Sequence, residues 1–431
     1  MIIGLSLTHS ITGIATDSRL CEKDDLFIAI KGDHVDGHSF LQEIYDKGCR
    51  AALVSDIDNS LPELNQYLVK DPVMTIGELA KRWRKNFDFP VIAITGTNGK
   101  TSTKELLSHI LQPNYNVHAN KGNYNTSVSL PLTVLQMSSE HSIAIFELGA
   151  NQPGDIKYLC DVLHPTHGII TNIAPAHLEG FGSIDEIAFE KGELFRALAN
   201  GISFINQTDD RVAGLPTFGE KITYGLTPES DFPADFYTES EGTLSIMVDA
   251  EDIPTGSSNV IFVKNVLAAI TIARTLEISW DTIKKQILFF NPPSGRCVVT
   301  NYGKNTVIDD TYNANYESVS AAIDFLKGFG GTGRRIFAFG DMYELGEYAR
   351  EYHEKVGEKC NESELDIVFT VGNYSQYTDA VLKNIPLHHH FSSKTELGKE
   401  LSNIISEDDI ILFKGSRGMT METIIQEVFQ S

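Results

Sequence analysis

Apolar residues along this chain fall into two alternating rhythms, short β-branched runs and longer stretches at helical spacing, and the alternation predicts strands and helices taking turns. The clearest instance is Val91-Ile-Ala-Ile-Thr95 followed by Gly96-Thr-Asn-Gly-Lys-Thr101. Pro90 and Gly96 bound a run that suits a buried strand, and beyond it Leu106, Leu107, Ile110 and Leu111 mark one face of a helix over Thr101 to Leu111. The turn between them suits an anion. Gly96 and Gly99 let backbone pass close to a phosphate, the helix start supplies unpaired N–H groups, Lys100 adds charge, and the Thr101 hydroxyl can hold Mg²⁺. The full P-loop pattern places glycine where Ile94 stands, so this is a shorter variant, and an ordinary strand-to-helix turn is the competing reading.

The same rhythm divides the chain into three predicted domains of one α/β class. Residues 1–87 carry a strand at Leu26 to Ile30, a helix over Phe40 to Lys47, a strand at Ala51 to Val54 and a helix over Thr75 to Phe87. Two polar loops, Thr16-Asp-Ser-Arg19 and Lys31 to His38, interrupt them. Ser18, Arg19 and Lys31 can form a pocket for a diphosphate or uracil, although surface turns look the same. Residues 88–297 alternate strands and helices, which predicts a mostly parallel sheet covered on both faces. Residues 298–431 repeat the alternation with strands at Asn305 to Asp310, Arg335 to Gly340, Ile367 to Gly372 and Asp409 to Lys414. That third domain is Rossmann-like, but it has no Gly-x-Gly-x-x-Gly and gives no support for dinucleotide binding.

In open α/β sheets ligands gather beyond the carboxyl ends of strands. The hydrophobic strand from Ser142 ends on Glu147, and the strand His167 to Asn172 runs on to His177, so both side chains are candidates for a site beside the phosphate turn. A helix-capping or ion-paired glutamate and a structural histidine are the alternatives. Asn120 to Pro131 is dense in amides and hydroxyls, with Asn123, Asn125 and Thr126 as candidate substrate contacts, though capping and turn formation also use such residues. Ser183-Ile-Asp-Glu186 reads as a capping box, and the helix it opens carries Lys191, which reads as an ordinary solvated lysine.

Composition narrows the function classes. A formal charge of −23 argues against general nucleic-acid binding and makes any basic cluster around an anionic substrate stand out. Five cysteines, widely spaced and without Cys-x-x-Cys, indicate neither a disulfide framework nor a thiolate metal site. No apolar run approaches the roughly 20 residues of a membrane span, and Met1-Ile-Ile-Gly-Leu-Ser lacks the basic start of a secretory signal, so the expected compartment is the cytoplasm.

Taken in order, the motifs resemble the ATP-dependent Mur ligases of peptidoglycan precursor synthesis. The residues that carry the resemblance are Thr16-Asp-Ser-Arg19, Asp25-Leu-Phe-Ile-Ala-Ile-Lys-Gly32, Gly96 to Thr101, Glu147-Leu-Gly-Ala-Asn151, Ala176-His-Leu-Glu-Gly-Phe-Gly182 and Lys191-Gly-Glu193. They continue through Ser294-Gly-Arg296, Asp309-Asp-Thr-Tyr-Asn-Ala-Asn315, Gly340-Asp-Met-Tyr-Glu-Leu-Gly346 and Lys414-Gly-Ser-Arg417, and so span nearly the whole chain. Several of these runs resemble the branch that joins D-alanyl-D-alanine to a UDP-N-acetylmuramoyl-tripeptide; a related Mur or folylpolyglutamate-type ligase with another acceptor is the alternative. The resemblance implies that ATP activates the tripeptide carboxylate as an acyl phosphate, which the dipeptide amine then attacks. It implies a UDP-muramoyl-peptide-binding first domain, an ATP-binding second domain and a dipeptide-binding third domain, in a monomer.

The resemblance also implies roles for individual residues. Gly96, Thr97, Asn98, Gly99, Lys100, Thr101, Asn265, Arg296 and Asp310 are expected to bind nucleotide, with Asp310 near the ribose. Thr101 and Glu147 are expected to serve one Mg²⁺, and Glu147, His177 and a carbamylated Lys191 a second; Lys100 joins the last three as catalytic. Ser18 and Arg19 belong to the UDP pocket, and Tyr312, Asn313, Asn315 and Tyr343 are expected to face the dipeptide and the reacting centre. Two departures from the family pattern stand out. Ser129 occupies a position that is usually glycine, and Asn259-Val-Ile-Phe262 replaces the usual Gly-x-His-Asn or Gly-x-Tyr-Asn ahead of Asn265.

Overall fold

A computed structural model describes residues 11–32, 35–240 and 242–430. The chain start read for a secretory signal, and Asp33 and His34 of the second polar loop, lie outside the described residues.

Three sheets follow one another along the chain. The first has four parallel strands in sequence order, Ile14–Ala15, Leu26–Ile28, Ala51–Val54 and Asn65–Leu68. The helix that follows it starts at Pro72 rather than at Thr75. Asp71 accepts from the N–H groups of Val73 and Met74, and proline at the first helical position needs no donor, so together they fix an earlier start. This helix, Pro72–Arg84, docks the first unit onto the second: Trp83 Nε1 donates to Met137 O at 2.9 Å, and buried Arg84 donates through Nε to Leu163 O at 2.9 Å. Arg84 thereby satisfies carbonyls at the end of the helix Asp155–Leu163.

The second sheet has nine strands, and its centre determines the site. Val91–Thr95 lies between Ile143–Glu147 on one side and His167–Ile170 on the other, all parallel. All three strands are buried nearly throughout, as expected of parallel strands covered on both faces. The far edge departs from the parallel pattern, because Phe232–Thr238, Leu244–Val248 and Glu251–Ser257 form an antiparallel meander joined by short turns. The helices Lys100–Leu111 and Val260–Thr275 cover one face of this sheet, sharing a core with Ile92, Ile94, Ile145 and Phe204.

The third sheet has six strands in the order Val298–Tyr302, Asn305–Asp310, Ile410–Lys414, Arg335–Gly340, Ile367–Val371 and Leu387–Phe391, with only the first pair antiparallel. One buried apolar cluster runs from the second unit (Phe146, Leu159, Phe195) into the third (Ile308, Ile323, Phe337). All five cysteines are free, and four are buried. Among the described residues no helix is long and apolar enough to cross a membrane.

Candidate active site

The carboxyl ends of the three central strands meet at one place, and the phosphate turn sits on the middle one. Gly96 has φ +147°, and a Cβ there would lie 1.9 Å from Thr171 Oγ1; Gly99 has φ +81°, and its Cβ would lie 2.5 Å from Asn265 Oδ1. Both glycines are therefore required, by conformation and by close approach. Gly99 is the residue before the helix Lys100–Leu111, and no side chain caps that helix, which leaves its first N–H groups for an anion. Lys100 Nζ folds back onto Gly96 O at 2.8 Å and Thr97 O at 3.1 Å, and burial lowers its pKa against the pull of Glu147.

Glu147 closes the neighbouring strand and is only 3% exposed. Its Oε2 accepts from Thr101 Oγ1 at 2.7 Å and its Oε1 from Asn125 Nδ2 at 2.8 Å, so neutral donors hold the carboxylate, in place of a helix cap or an ion pair. Asn120 holds the backbone beneath, accepting from Glu147 N at 2.9 Å and donating to Glu147 O at 3.0 Å. Wholly buried Lys104 completes the support, donating to Asn120 O and pairing with Glu105 at 2.8 Å. Arg296 reaches the same point from the chain leading into the third sheet: Nη2 donates to Thr101 Oγ1 at 2.9 Å and the guanidinium lies 3.7 Å over the Tyr312 ring. Its Nε is buried without a partner, an orphan donor that an anionic oxygen would satisfy.

Lys191 is not the solvated lysine that its composition and helical setting suggest. The face of Ile184–Ala197 that carries it turns inward, Lys191 is 5% exposed, and Nζ points at Gly96 O at 3.2 Å. Burial, and then the charge of Lys100, push its pKa down to about 7, while Glu190 opposes the shift. Glu190 itself is occupied, accepting from the N–H groups of Gly154 and Ile156 at 2.7 and 2.6 Å. Ser183 caps the helix by accepting from Glu186 N at 3.2 Å.

His177 stands on left-handed backbone (φ 52°) just before the short helix Leu178–Phe181, with Nδ1 2.5 Å from Glu344 Oε2. That hydrogen bond holds the Glu344 carboxyl below its ordinary pKa against partial burial. Glu344 belongs to the third unit, and it is the residue that sequence reasoning passed over. Its only signal was its place in the run Gly340 to Gly346.

The third unit adds further groups to the same cavity. Lys414 Nζ lies 2.5 Å from Asp310 Oδ2 and 3.0 Å from Asn313 O. Asn315 and Asn98 exchange side-chain amide bonds at 2.7 and 3.3 Å, which ties the phosphate turn directly to the third unit. One cavity of about 670 Å³ is lined by the phosphate turn, Asn123, Asn125, Thr126, Glu147, His177, Lys191, Asn265, Arg296, Asp310, Tyr312, Asn313, Asn315 and Tyr343.

Ser18, Arg19 and Lys31 lie apart from it. Ser18 Oγ donates to Glu43 at 3.3 Å, Arg19 pairs with Asp17 at 2.6 Å with its side chain 84% exposed, and Lys31 is exposed. The two departures from the family pattern have local explanations. Ser129 exchanges hydroxyl contacts with Thr126 at 2.9 Å, closing the turn that a glycine would leave open. Asn259 caps Val260–Thr275 through Ile261 N at 2.8 Å, and Phe262 stacks on Phe290 at 6.0 Å, so aromatic surface replaces the missing amide beside Asn265.

Oxygen donors at Thr101 and Glu147, 2.7 Å apart, suit a hard divalent cation such as Mg²⁺. Among the described residues no three His, Cys, Asp or Glu side chains cluster as a metal site.

Three family models cover most of the chain: "Mur ligase family, catalytic domain" at residues 10–82, "Mur ligase middle domain" at 94–273 and "Mur ligase, glutamate ligase domain" at 295–417. A Haemophilus influenzae protein named UDP-N-acetylmuramoyl-tripeptide–D-alanyl-D-alanine ligase is 34% identical over 96% of this chain and 92% of its own length. The chain belongs to the Mur ligase family. Among solved Mur ligases, MurF from Acinetobacter baumannii superposes with a TM-score of 0.91 at 29% identity, covering 98% of this chain and 94% of that one. The MurF ligase from Thermotoga maritima, in complex with ADP, superposes at 0.87 with 28% identity and 97% coverage of both chains.

Proposed function

We propose that this chain is the ATP-dependent ligase that joins D-alanyl-D-alanine to UDP-N-acetylmuramoyl-tripeptide in peptidoglycan precursor synthesis. The observation that carries the reading is end-to-end similarity to ligases of that name, together with a cavity in which a phosphate turn, a buried carboxylate and the third unit's polar loops face one another.

The chemistry follows from the residues. The N–H groups at the start of Lys100–Leu111, with Lys100, hold the β- and γ-phosphates, and Arg296 offers its orphan Nε to phosphate oxygen. The terminal carboxylate of the tripeptide attacks the γ-phosphorus and ADP leaves. The dipeptide amine then attacks the resulting carbonyl carbon and phosphate leaves. Lys100 neutralises charge that develops on the transferring phosphoryl group, and Asn123, Asn125 and Thr126 line the wall beside it. Mg²⁺, when bound, withdraws charge from the phosphates and orients them.

Thr101 and Glu147 are the residues to hold one ion. Glu147, His177 and Lys191 are those for a second, with Lys191 carbamylated. A neutral, buried amine adds CO₂ and loses one proton to give a carbamate, and the pKa of about 7 keeps Lys191 neutral often enough for this. Asp310 and Asn265 serve the nucleoside, Tyr312, Asn313, Asn315 and Tyr343 the dipeptide, and Ser18, Arg19 and Lys31 the UDP end. The enzyme works in the cytoplasm as a monomer that binds no nucleic acid, and its product serves cell shape and division. The third unit closes over nucleotide before chemistry and keeps water from the acyl phosphate.

Purified protein will release phosphate from ATP only when both UDP-N-acetylmuramoyl-tripeptide and D-alanyl-D-alanine are present. Equal turnover with a single amino acid, or with a folate and glutamate, would replace this reading with that of the related ligases.

A further inference from the structure

Four carboxylates line the cavity: Glu147, Asp155, Asp310 and Glu344. Three of them are already committed. Glu147 accepts from Thr101 and Asn125, Asp310 is paired with Lys414 at 2.5 Å, and Asp155 accepts from the N–H groups of Asn151 and Gln152 at 2.9 and 3.1 Å. Glu344 differs. Its one side-chain partner among the described residues is His177, and 55% of its side chain stays open. The backbone that carries it is held by both units, because Glu344 O accepts from Glu179 N at 3.2 Å and Tyr343 N donates to Ser416 Oγ at 2.8 Å. The carboxylate is thereby fixed beside His177, which follows the strand next to the phosphate turn.

The second substrate of the ligation brings a positive charge to this place. An α-amino group has a pKa of about 7.7–8.0, so a dipeptide reaches the site largely as an ammonium ion. An ammonium desolvated in a cavity needs an anionic acceptor, and a charge-assisted hydrogen bond to carboxylate is the strongest that side chains offer. Resting on the ligase reading above, we propose that Glu344 is the subsite for the ammonium group of the incoming dipeptide. In this role Glu344 selects and orients the ammonium, which loses one proton to solvent before its neutral nitrogen attacks the activated carbonyl carbon and phosphate leaves; the third unit thus places the amine where that carbonyl forms.

Steady-state kinetics with saturating ATP and UDP-N-acetylmuramoyl-tripeptide test the subsite. Glu344→Gln removes the charge and keeps the shape, and the KM for D-alanyl-D-alanine is expected to rise by about tenfold or more. Inhibition by N-acetyl-D-alanyl-D-alanine, which has no ammonium group, is expected to keep its Ki in the variant, and Glu344→Asp is expected to recover part of the dipeptide affinity. An unchanged dipeptide KM, a fall in kcat alone, or equal losses for the dipeptide and its N-acetyl form would overturn the proposal and leave Glu344 as a residue that only orients His177. These outcomes differ from failure of the ligase reading, in which the wild-type protein itself would not couple phosphate release to the dipeptide.

Discussion

Two walls of one cavity are built differently. On the central wall, Thr101, Glu147 and Lys191 are nearly buried, and Glu147 is fixed through side chain and backbone by Thr101, Asn125 and Asn120. On the wall from the third unit Lys414 is buried in its pair with Asp310, but Glu344 and Arg417 keep about half of their side chains exposed, at 55% each. The comparison separates two demands. Phosphoryl transfer rewards charges that are positioned before the substrate arrives, whereas recognition of a small acceptor needs groups that can be reached and that still have bonding capacity.

The largest expected effect lies on the central wall. Lys100→Ala is predicted to lower kcat by about a thousandfold or more, because phosphoryl transfer depends on placed charge. Full activity in that variant would remove the distinction between the walls.

Lys191 comes next. Lys191→Ala is predicted to abolish turnover while leaving the fold and nucleotide binding intact. In the wild type, ¹³C-bicarbonate is expected to give a carbamate NMR signal at alkaline pH. The sign follows from the shift: with its pKa lowered from 10.5 to about 7, the amine is neutral above that value and becomes an unreactive ammonium as pH falls through it, so the signal should fade near pH 7. A signal that disappears only near pH 10 would mean that the lysine is solvated.

A smaller effect belongs to the seam between the walls. Asn315 caps Tyr316–Gly328 in a capping box and also bonds Asn98. Asn315→Ala should cost about 1 kcal/mol in denaturant unfolding from the cap, and Asn98→Ala should cost less. Equal costs would assign the stabilisation to the contact between units.

The smallest change is expected far from both walls. Arg19 is exposed and already paired with Asp17, so Arg19→Ala should raise the KM for the UDP substrate by only a few-fold. A hundredfold rise would make Arg19 a principal anchor of the UDP end, and an unchanged KM would take it out of that pocket.

Much of this arrangement was legible in the sequence because it depends on local rules. A buried run, glycines at the turn and a helix at the right spacing announce the phosphate turn, and a strand ending on Glu147 announces a carboxylate at the carboxyl end of the sheet. The helix starts at Pro72, three residues before the start that apolar spacing alone predicts, because the cap at Asp71 and the proline after it set its beginning. Lys191 could not be placed from composition, since whether a helical lysine faces solvent or core depends on what packs over it. The pairs Glu344 with His177 and Asn98 with Asn315 join residues far apart in sequence, and only the docking of the units reveals them.

The central claim is that this cavity brings the tripeptide's terminal carboxylate to the γ-phosphate of ATP. Labelling that carboxylate with ¹⁸O and analysing the released phosphate by mass spectrometry tests it most directly. One labelled oxygen is predicted to appear in each phosphate released during ligation. Unlabelled phosphate, with the expelled carboxylate oxygen recovered in water, would contradict the acyl-phosphate route and the reading of the site built on it.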